Sequence, residues 1–264
     1  MPAAQGYVVS SGAVQPRRED GDTATARITI DASAGCERLE QRVVDYGAGR
    51  SAARSLPDRD EVLYVLEGRG TLWLDGAPHA LEPDTAVYIA AGESYEVENP
   101  GPEPLQVVGV SAPAEEPMDP ASRRVTIRYA DQPHLFAGIG REYRYLVNEE
   151  AGCREVTQFV GLIPPGRAPE HSHTYDEVVY VLEGEGVLHL NDGETPISRG
   201  TCMHLPPLRE HCLENLGPGT MRVLGVFHPS GSPASRAYEA DEQSNYSDDR
   251  SSYSTQASTK EEIE

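Results

Sequence analysis

Apolar positions in this chain come in short runs rich in Val, Leu, Ile and Tyr, such as Val62-Leu63-Tyr64-Val65-Leu66 and Val178-Val179-Tyr180-Val181-Leu182. Gly, Pro, Asn and Asp interrupt them roughly every ten residues, the signature of β-strands bounded by turns. No segment repeats apolar residues at the helical spacing of three and four over three turns. Leu72-Trp73-Leu74-Asp75-Gly76 and Leu188-His189-Leu190-Asn191-Asp192-Gly193 each place turn residues directly after a strand, which predicts hairpins. The pattern predicts an all-β protein.

The same pattern occurs twice. Ala34-Gly35-Cys36, Gln41, Gly49-Arg50 and Asp60-Glu61-Val62 are answered by Ala151-Gly152-Cys153, Gln158, Gly166-Arg167 and Asp176-Glu177-Val178. The offset is 117 up to the Gly-Arg pair and 116 after it, a register that Asn99 and Asn215 keep. A tandem duplication implies two antiparallel β-barrels or sandwiches in series. Prolines Pro113, Pro117 and Pro120 deny donors to any strand between them, so the joint is placed near Pro117. The expected organisation is an N-terminal arm over 1–24, barrels over 25–116 and 117–229, and a tail over 230–264. That tail holds nine serines, eight acids and three bases, with Ile263 its only large aliphatic residue. Such a composition buries too little to offset ordering, so a disordered acidic tail is expected, whose removal after Pro229 should leave metal content and thermal stability nearly unchanged.

The formal charge of −21 repels nucleic acid and anionic membrane surfaces, and both are excluded as partners. No apolar run is long enough for a membrane span or a signal peptide, so a cytoplasmic protein is expected. Cys36, Cys153, Cys202 and Cys212 lack CxxC spacing and are read as reduced thiols.

Five of the eight histidines fall between His171 and His211. On a strand, His171 and His173 share a face, and Glu177, an even number of residues on, can join it. With His211 from a later strand, three imidazoles and a carboxylate form a mixed N/O set for one divalent transition metal per chain. Iron or manganese is favoured, with Ni, Cu and Zn also compatible.

These residues resemble the cupins, and specifically the two-barrel bicupins. Gly166, His171, His173, Glu177 and Gly184 match the first cupin motif, and Gly200, Pro206, His211 and Asn215 the second. Two departures stand out: four residues rather than five separate Gly166 from His171, and Leu208 replaces a motif glycine. The resemblance spans roughly residues 25 to 228 and implies two jelly-roll barrels. It also implies that His171, His173, Glu177 and His211 hold a metal inside the second barrel, with positions left for water, substrate or dioxygen. In the first barrel Ser55, Pro57 and Tyr95 replace the histidines and only Glu61 persists. One carboxylate cannot hold a transition metal. That barrel is expected to be structural, or to bind a small ligand through Glu61 and Tyr95, and the asymmetry differs from oxalate decarboxylase-like bicupins with metal in both barrels.

Other residues are weighed against plain packing roles. His204, which shares a strand and face with Cys202, and His189 on the following hairpin are candidate pocket residues. Gln158 matches Gln41, which favours structure, although its strand precedes the motif and could face the metal. Tyr175, in the loop between ligands, is a candidate cover. Cys212 should point away from His211, and Arg167, matching Arg50, is discounted. A small-molecule substrate, dioxygen as co-substrate and a homodimer are the expected partners.

The leading functional expectation is an oxygen-dependent oxidoreductase of dioxygenase type, acting on a small enolisable, phenolic or carboxylate metabolite. Glu177 would serve as ligand or general base, as suggested for its counterpart in the flavonol-cleaving cupins. The alternatives are a non-oxidative isomerase, lyase or hydrolase resembling the bicupin ureidoglycine aminohydrolase, and a non-catalytic binding protein.

Overall fold

The computed structural model describes residues 5–115, 118, 121–137 and 140–235. Within them every helical element is a single 3-10 turn, and strands form four sheets, two per repeat. In the first repeat the larger sheet runs Thr126–Arg128, Thr85–Ile89, Arg59–Glu67, Leu105–Pro113, Glu40–Tyr46, Ala24–Ile30. In the second it runs Tyr7–Ser10, Thr201–Leu205, Asp176–Glu183, Met221–His228, Thr157–Ile163, Glu142–Val147, Leu135–Phe136. A smaller sheet closes each barrel; in the second it is Gly166–Arg167, His211–Asn215, Glu185–Leu190, Gly193–Ser198.

Alternation along the central strands explains their unbroken apolar runs. Leu63 and Val65 point into the first barrel with Val44, Leu72 and Val97, and Val179 and Val181 into the second with Leu188, Met203 and Met221. The intervening Val62, Tyr64, Val178 and Tyr180 point outward. They meet across the seam between the large sheets, in one core with Val108, Val110, Val160, Leu224 and Val226. A strand buried on both faces needs no polar alternation.

The barrels also exchange strands. Tyr7–Ser10, from the segment read as an arm, pairs antiparallel with Thr201–His204 of the second barrel. Thr126–Arg128, beyond the proline-rich joint, pairs with Thr85–Val87 of the first. Each exchange satisfies an edge that would otherwise be open.

The duplicated sequence signals have duplicated structural causes. Gly35 and Gly152 end equivalent 3-10 turns in the left-handed conformation, at φ of 83° and 87°, and so deliver Cys36 and Cys153 into the seam. Asn99 and Asn215 donate from Nδ2 to the Tyr46 and Ile163 carbonyls, both at 2.8 Å. The hairpins at Asp75-Gly76 and Asn191-Asp192 form as expected. The first residues of the predicted tail, 230–235, pack on the second barrel, where Thr157 Oγ1 accepts from the Gly231 amide at 3.2 Å. Residues 236–264, the rest of that tail, lie outside the described residues, as do 116, 117, 119 and 120 of the joint. No described helix is long and apolar enough to cross a membrane.

Candidate metal centre

His171 and His211 form an isolated antiparallel bridge, each amide donating to the other's carbonyl at 3.1 and 2.9 Å. This brings their rings to 4.6 Å. His173, two residues on, turns to the same side, its ring 4.9 Å from His211 and 6.4 Å from His171. Glu177 enters from the large sheet, opposite Leu205 and Phe227 in register. Its Oε2 lies 2.8 Å from His173 Nε2 and 4.0 Å from His211 Nε2. One ligand atom from each of His173, Glu177 and His211 lies within 4.8 Å of the others. Three of the four predicted ligands thus cluster, and His171 lines the same cavity as they do.

The donor set fits a divalent transition metal. Each imidazole presents Nδ1 to a backbone carbonyl: His171 to Pro169 at 3.2 Å, His173 to Tyr175 at 2.8 Å and His211 to Arg209 at 2.8 Å. A proton on each Nδ1 leaves Nε2 for the interior, the arrangement in which outer partners orient metal-binding histidines. Burial pushes the His171 pKa down and that of His211 to about 4, against the attraction of Glu177, which keeps both neutral near pH 7. For His173 burial also opposes the charge, but the hydrogen bond and charge of Glu177 outweigh it and raise the pKa.

The surroundings are mostly apolar. Tyr175 stacks on His173 at 4.5 Å, with rings 12° apart, and packs against Phe227, which abuts Phe159. A cavity of about 80 Å³ opens onto the ligands, also lined by Ile163, Val179, Leu205 and Val223. Tyr175 thus forms part of the cavity wall over His173. It also donates from its hydroxyl to the Ser232 carbonyl at 2.7 Å, and Pro233 and Ser235 line the same cavity.

The other candidate pocket residues lie elsewhere. Phe159 points into the barrel, so its neighbour Gln158 points to the seam, fully buried with neither amide atom partnered. His204 is on the seam too, its Nε2 2.9 Å from Asp176 Oδ1. His189 pairs with Glu214 at 2.8 Å across neighbouring strands, away from the cavity lining. Period-two alternation decides all three. Sequence reasoning missed Arg141, which lines the cavity and whose charge depresses the His171 pKa further. The signal available was the asymmetry of the repeat, since Ala24 stands at the equivalent place 117 residues earlier.

In the first barrel Glu61 is occupied by arginine. Arg42 Nε donates to Glu61 Oε1 at 3.0 Å, Tyr95 Oη to Oε2 at 2.9 Å and Arg54 Nε to Oε2 at 3.2 Å. Arg42 also donates to Tyr95 Oη at 2.5 Å. The polar atoms proposed for a small ligand are consumed by these contacts.

The family model of the cupin domain matches residues 42–111 and again 159–227, together more than half of the chain. The chain is a cupin. Among curated relatives, this cupin is 32% identical over 60 residues to an uncharacterized protein of Methanocaldococcus jannaschii, 22% of this chain and 48% of that one, so it spans about half that relative's length. It is 32% identical over 89 residues to the oxalate-binding protein of Thermotoga maritima, 33% of this chain and 74% of that protein. Protein Ylba of E. coli superposes with a TM-score of 0.73 at 14% identity, over 86% of this chain and 91% of the other. Oxalate decarboxylase of Bacillus subtilis, described with Mn(II) centres, superposes with a TM-score of 0.68 at 13% identity, over 85% and 78%. At these identities the structural likenesses establish the bicupin fold.

Proposed function

We propose that this bicupin is a metal-dependent oxidoreductase of a small carboxylate, working at the single centre of its second barrel with dioxygen as co-substrate. The observation that carries the reading is the convergence of three carbonyl-oriented imidazoles and Glu177 on a small apolar cavity that also receives Arg141. His171, His173, His211 and Glu177 would hold the ion, with iron or manganese favoured. When bound, such an ion supplies Lewis acidity and a one-electron couple beside the substrate. Arg141 supplies the complementary charge for an anion, and in an apolar cavity that charge is screened little. The walls formed by Phe159, Tyr175 and Phe227 exclude bulk water. Glu177, two carboxylate oxygens at the cavity wall, is positioned to take a proton from an enolisable substrate. The likeness to an oxalate-binding protein supports a carboxylate ligand of few atoms, as does the cavity volume.

The test is oxygen uptake by protein stripped of metal and reloaded with Fe(II), Mn(II) or Zn(II), against a panel of mono- and dicarboxylates. Uptake with iron or manganese and none with zinc supports the reading. Turnover that continues at the aerobic rate without oxygen, and equally with zinc, would replace it with non-oxidative Lewis-acid chemistry.

A further inference from the structure

The duplication allows the two sides of the seam to be compared with one another. On one side Cys153 of the second barrel meets Asp60 and Tyr88 of the first. Tyr88 Oη donates to Asp60 Oδ2 at 3.0 Å, Cys153 Sγ to the same oxygen at 3.7 Å, and the Ala91 amide to Oδ1 at 2.9 Å. Every polar side-chain atom of these three residues has a partner.

On the other side the equivalents are Cys36 of the first barrel with Asp176 and His204 of the second, and one residue has changed: histidine replaces tyrosine. The exchange leaves a polar atom stranded. His204 Nε2 lies 2.9 Å from Asp176 Oδ1, while Nδ1 has no partner and the residue is 0% exposed. On the neighbouring strand, His228 is the cross-strand neighbour of Asp176. It is 4% exposed, and neither ring nitrogen has a hydrogen-bond partner; Glu155 Oε2 is 3.7 Å from Nε2. The first repeat has Ala112 at that position. Buried imidazole atoms without partners require an explanation, and a bound ion or water is the usual one.

We infer that Cys36, Asp176 and His204 form a second divalent-cation site of zinc type that clamps the two barrels together, with its remaining position left for water. A thiolate, an imidazole and a carboxylate suit Zn(II). One ligand atom from each lies within 4.8 Å of the others. A tetrahedral zinc shell places such atoms about 3.3–3.8 Å apart, so shifts of about 1 Å suffice. Asp176 and His228 also line a cavity of about 210 Å³ with Arg38, Glu115 and Glu155, which offers an entry path from solvent. Arg38 in that cavity is held by Glu115 at 2.7 Å. The other side of the seam cannot do this, because the Tyr88 hydroxyl already closes it by hydrogen bonds. The inference is independent of the proposed function, because the barrel centre contains no thiolate.

That difference supplies the test. The full-length protein, stripped by a chelator, is titrated with Co(II) and followed for the sulfur-to-cobalt charge-transfer band in the near ultraviolet. The expected result is about two ions bound per chain, with the thiolate band belonging to one of them. Cys36→Ser and His204→Tyr should each abolish the band, while Cys153→Ser keeps it. His204→Tyr recreates the arrangement that already folds across the seam, so its loss of the band reports on ligation. His171→Ala with His211→Ala should keep the thiolate band and lose the other ion, which separates this site from the barrel centre. Absence of the band in the unmutated protein at saturating cobalt, or its survival in His204→Tyr, would overturn the proposal.

Discussion

Arg42 and Glu61 stand in the first barrel as the counterparts of Phe159 and Glu177 in the second, and their contact, Nε to Oε1 at 3.0 Å, puts a guanidinium beside the carboxylate that the duplication preserved. Both groups are nearly buried, with side chains 7% and 2% exposed. One barrel thus balances its inward carboxylate with a covalently tethered cation, whereas the other surrounds it with imidazoles. The retained glutamate is explained without a retained metal.

Removing the tethered cation should be costly. Arg42→Ala leaves the buried Glu61 with Arg54 as its remaining cation, so a loss at or below the low end of the buried-pair range, about 3 kcal/mol, is expected in urea unfolding. Replacing both members by apolar residues, Arg42→Met with Glu61→Leu, should recover most of it. A double variant as unstable as the single one would show that the pair is needed for more than charge balance.

The pH dependence of stability follows from the same pair. Burial pushes the Glu61 pKa up, but the Arg42 and Arg54 charges outweigh this and hold it below 4.5. A folded value below the unfolded one gives stability that is present in full above about pH 4.5 and is lost as pH falls from there through the folded value. Unfolding midpoints measured from pH 7 downward should therefore converge for the unmutated protein and Glu61→Gln in acid, and differ at neutrality.

Metal binding in the second barrel should depend on its histidines. His171→Ala with His211→Ala, analysed for metal by mass spectrometry after loading with Mn(II), should lose the barrel ion, whereas Glu61→Gln should not change it. Retention in the double histidine variant would dismiss the assigned ligands.

Leu208 replaces a motif glycine and has φ of 61°, a left-handed conformation that penalises a Cβ. It is 67% exposed, so little burial is at stake. Leu208→Gly should stabilise the protein by about 0.5–1 kcal/mol, since relief of strain exceeds the added unfolded-state entropy. Because the Leu208 amide donates to the His173 carbonyl at 2.7 Å, metal affinity is a useful second measurement.

Truncation after Pro229 should not be neutral. It removes the Tyr175 and Tyr145 hydrogen bonds to Ser232, at 2.7 and 3.1 Å, and the wall formed by Pro233 and Ser235. A destabilisation of about 1–3 kcal/mol is expected from the unmet partners, with weaker discrimination against larger carboxylates. Unchanged melting and unchanged selectivity would show that this segment does not shape the site.

The sequence by itself determined the strand content and the duplication. Those depend on local rules, since turn residues recur in register and period-two alternation assigns faces within a strand. Asn99 and Asn215 were legible for the same reason. His171 and His173, expected on one strand with Glu177, instead lie in the loop between Gly166–Arg167 and Asp176–Glu183, where alternation decides nothing. Only the tertiary structure decided which face met which neighbour. Alternation told that Gln158 and Phe159 point oppositely, but not that the barrel interior lay on the phenylalanine side and the second barrel's partner on the other. The seam, the exchanged strands Tyr7–Ser10 and Thr126–Arg128, and the Arg42 contact with Glu61 all join residues far apart in the chain. Composition judged the segment after Pro229 by what it could bury alone. Its first residues are held instead by Thr157, Tyr145 and Tyr175, whose hydrogen-bonding groups become available only once the second barrel has closed.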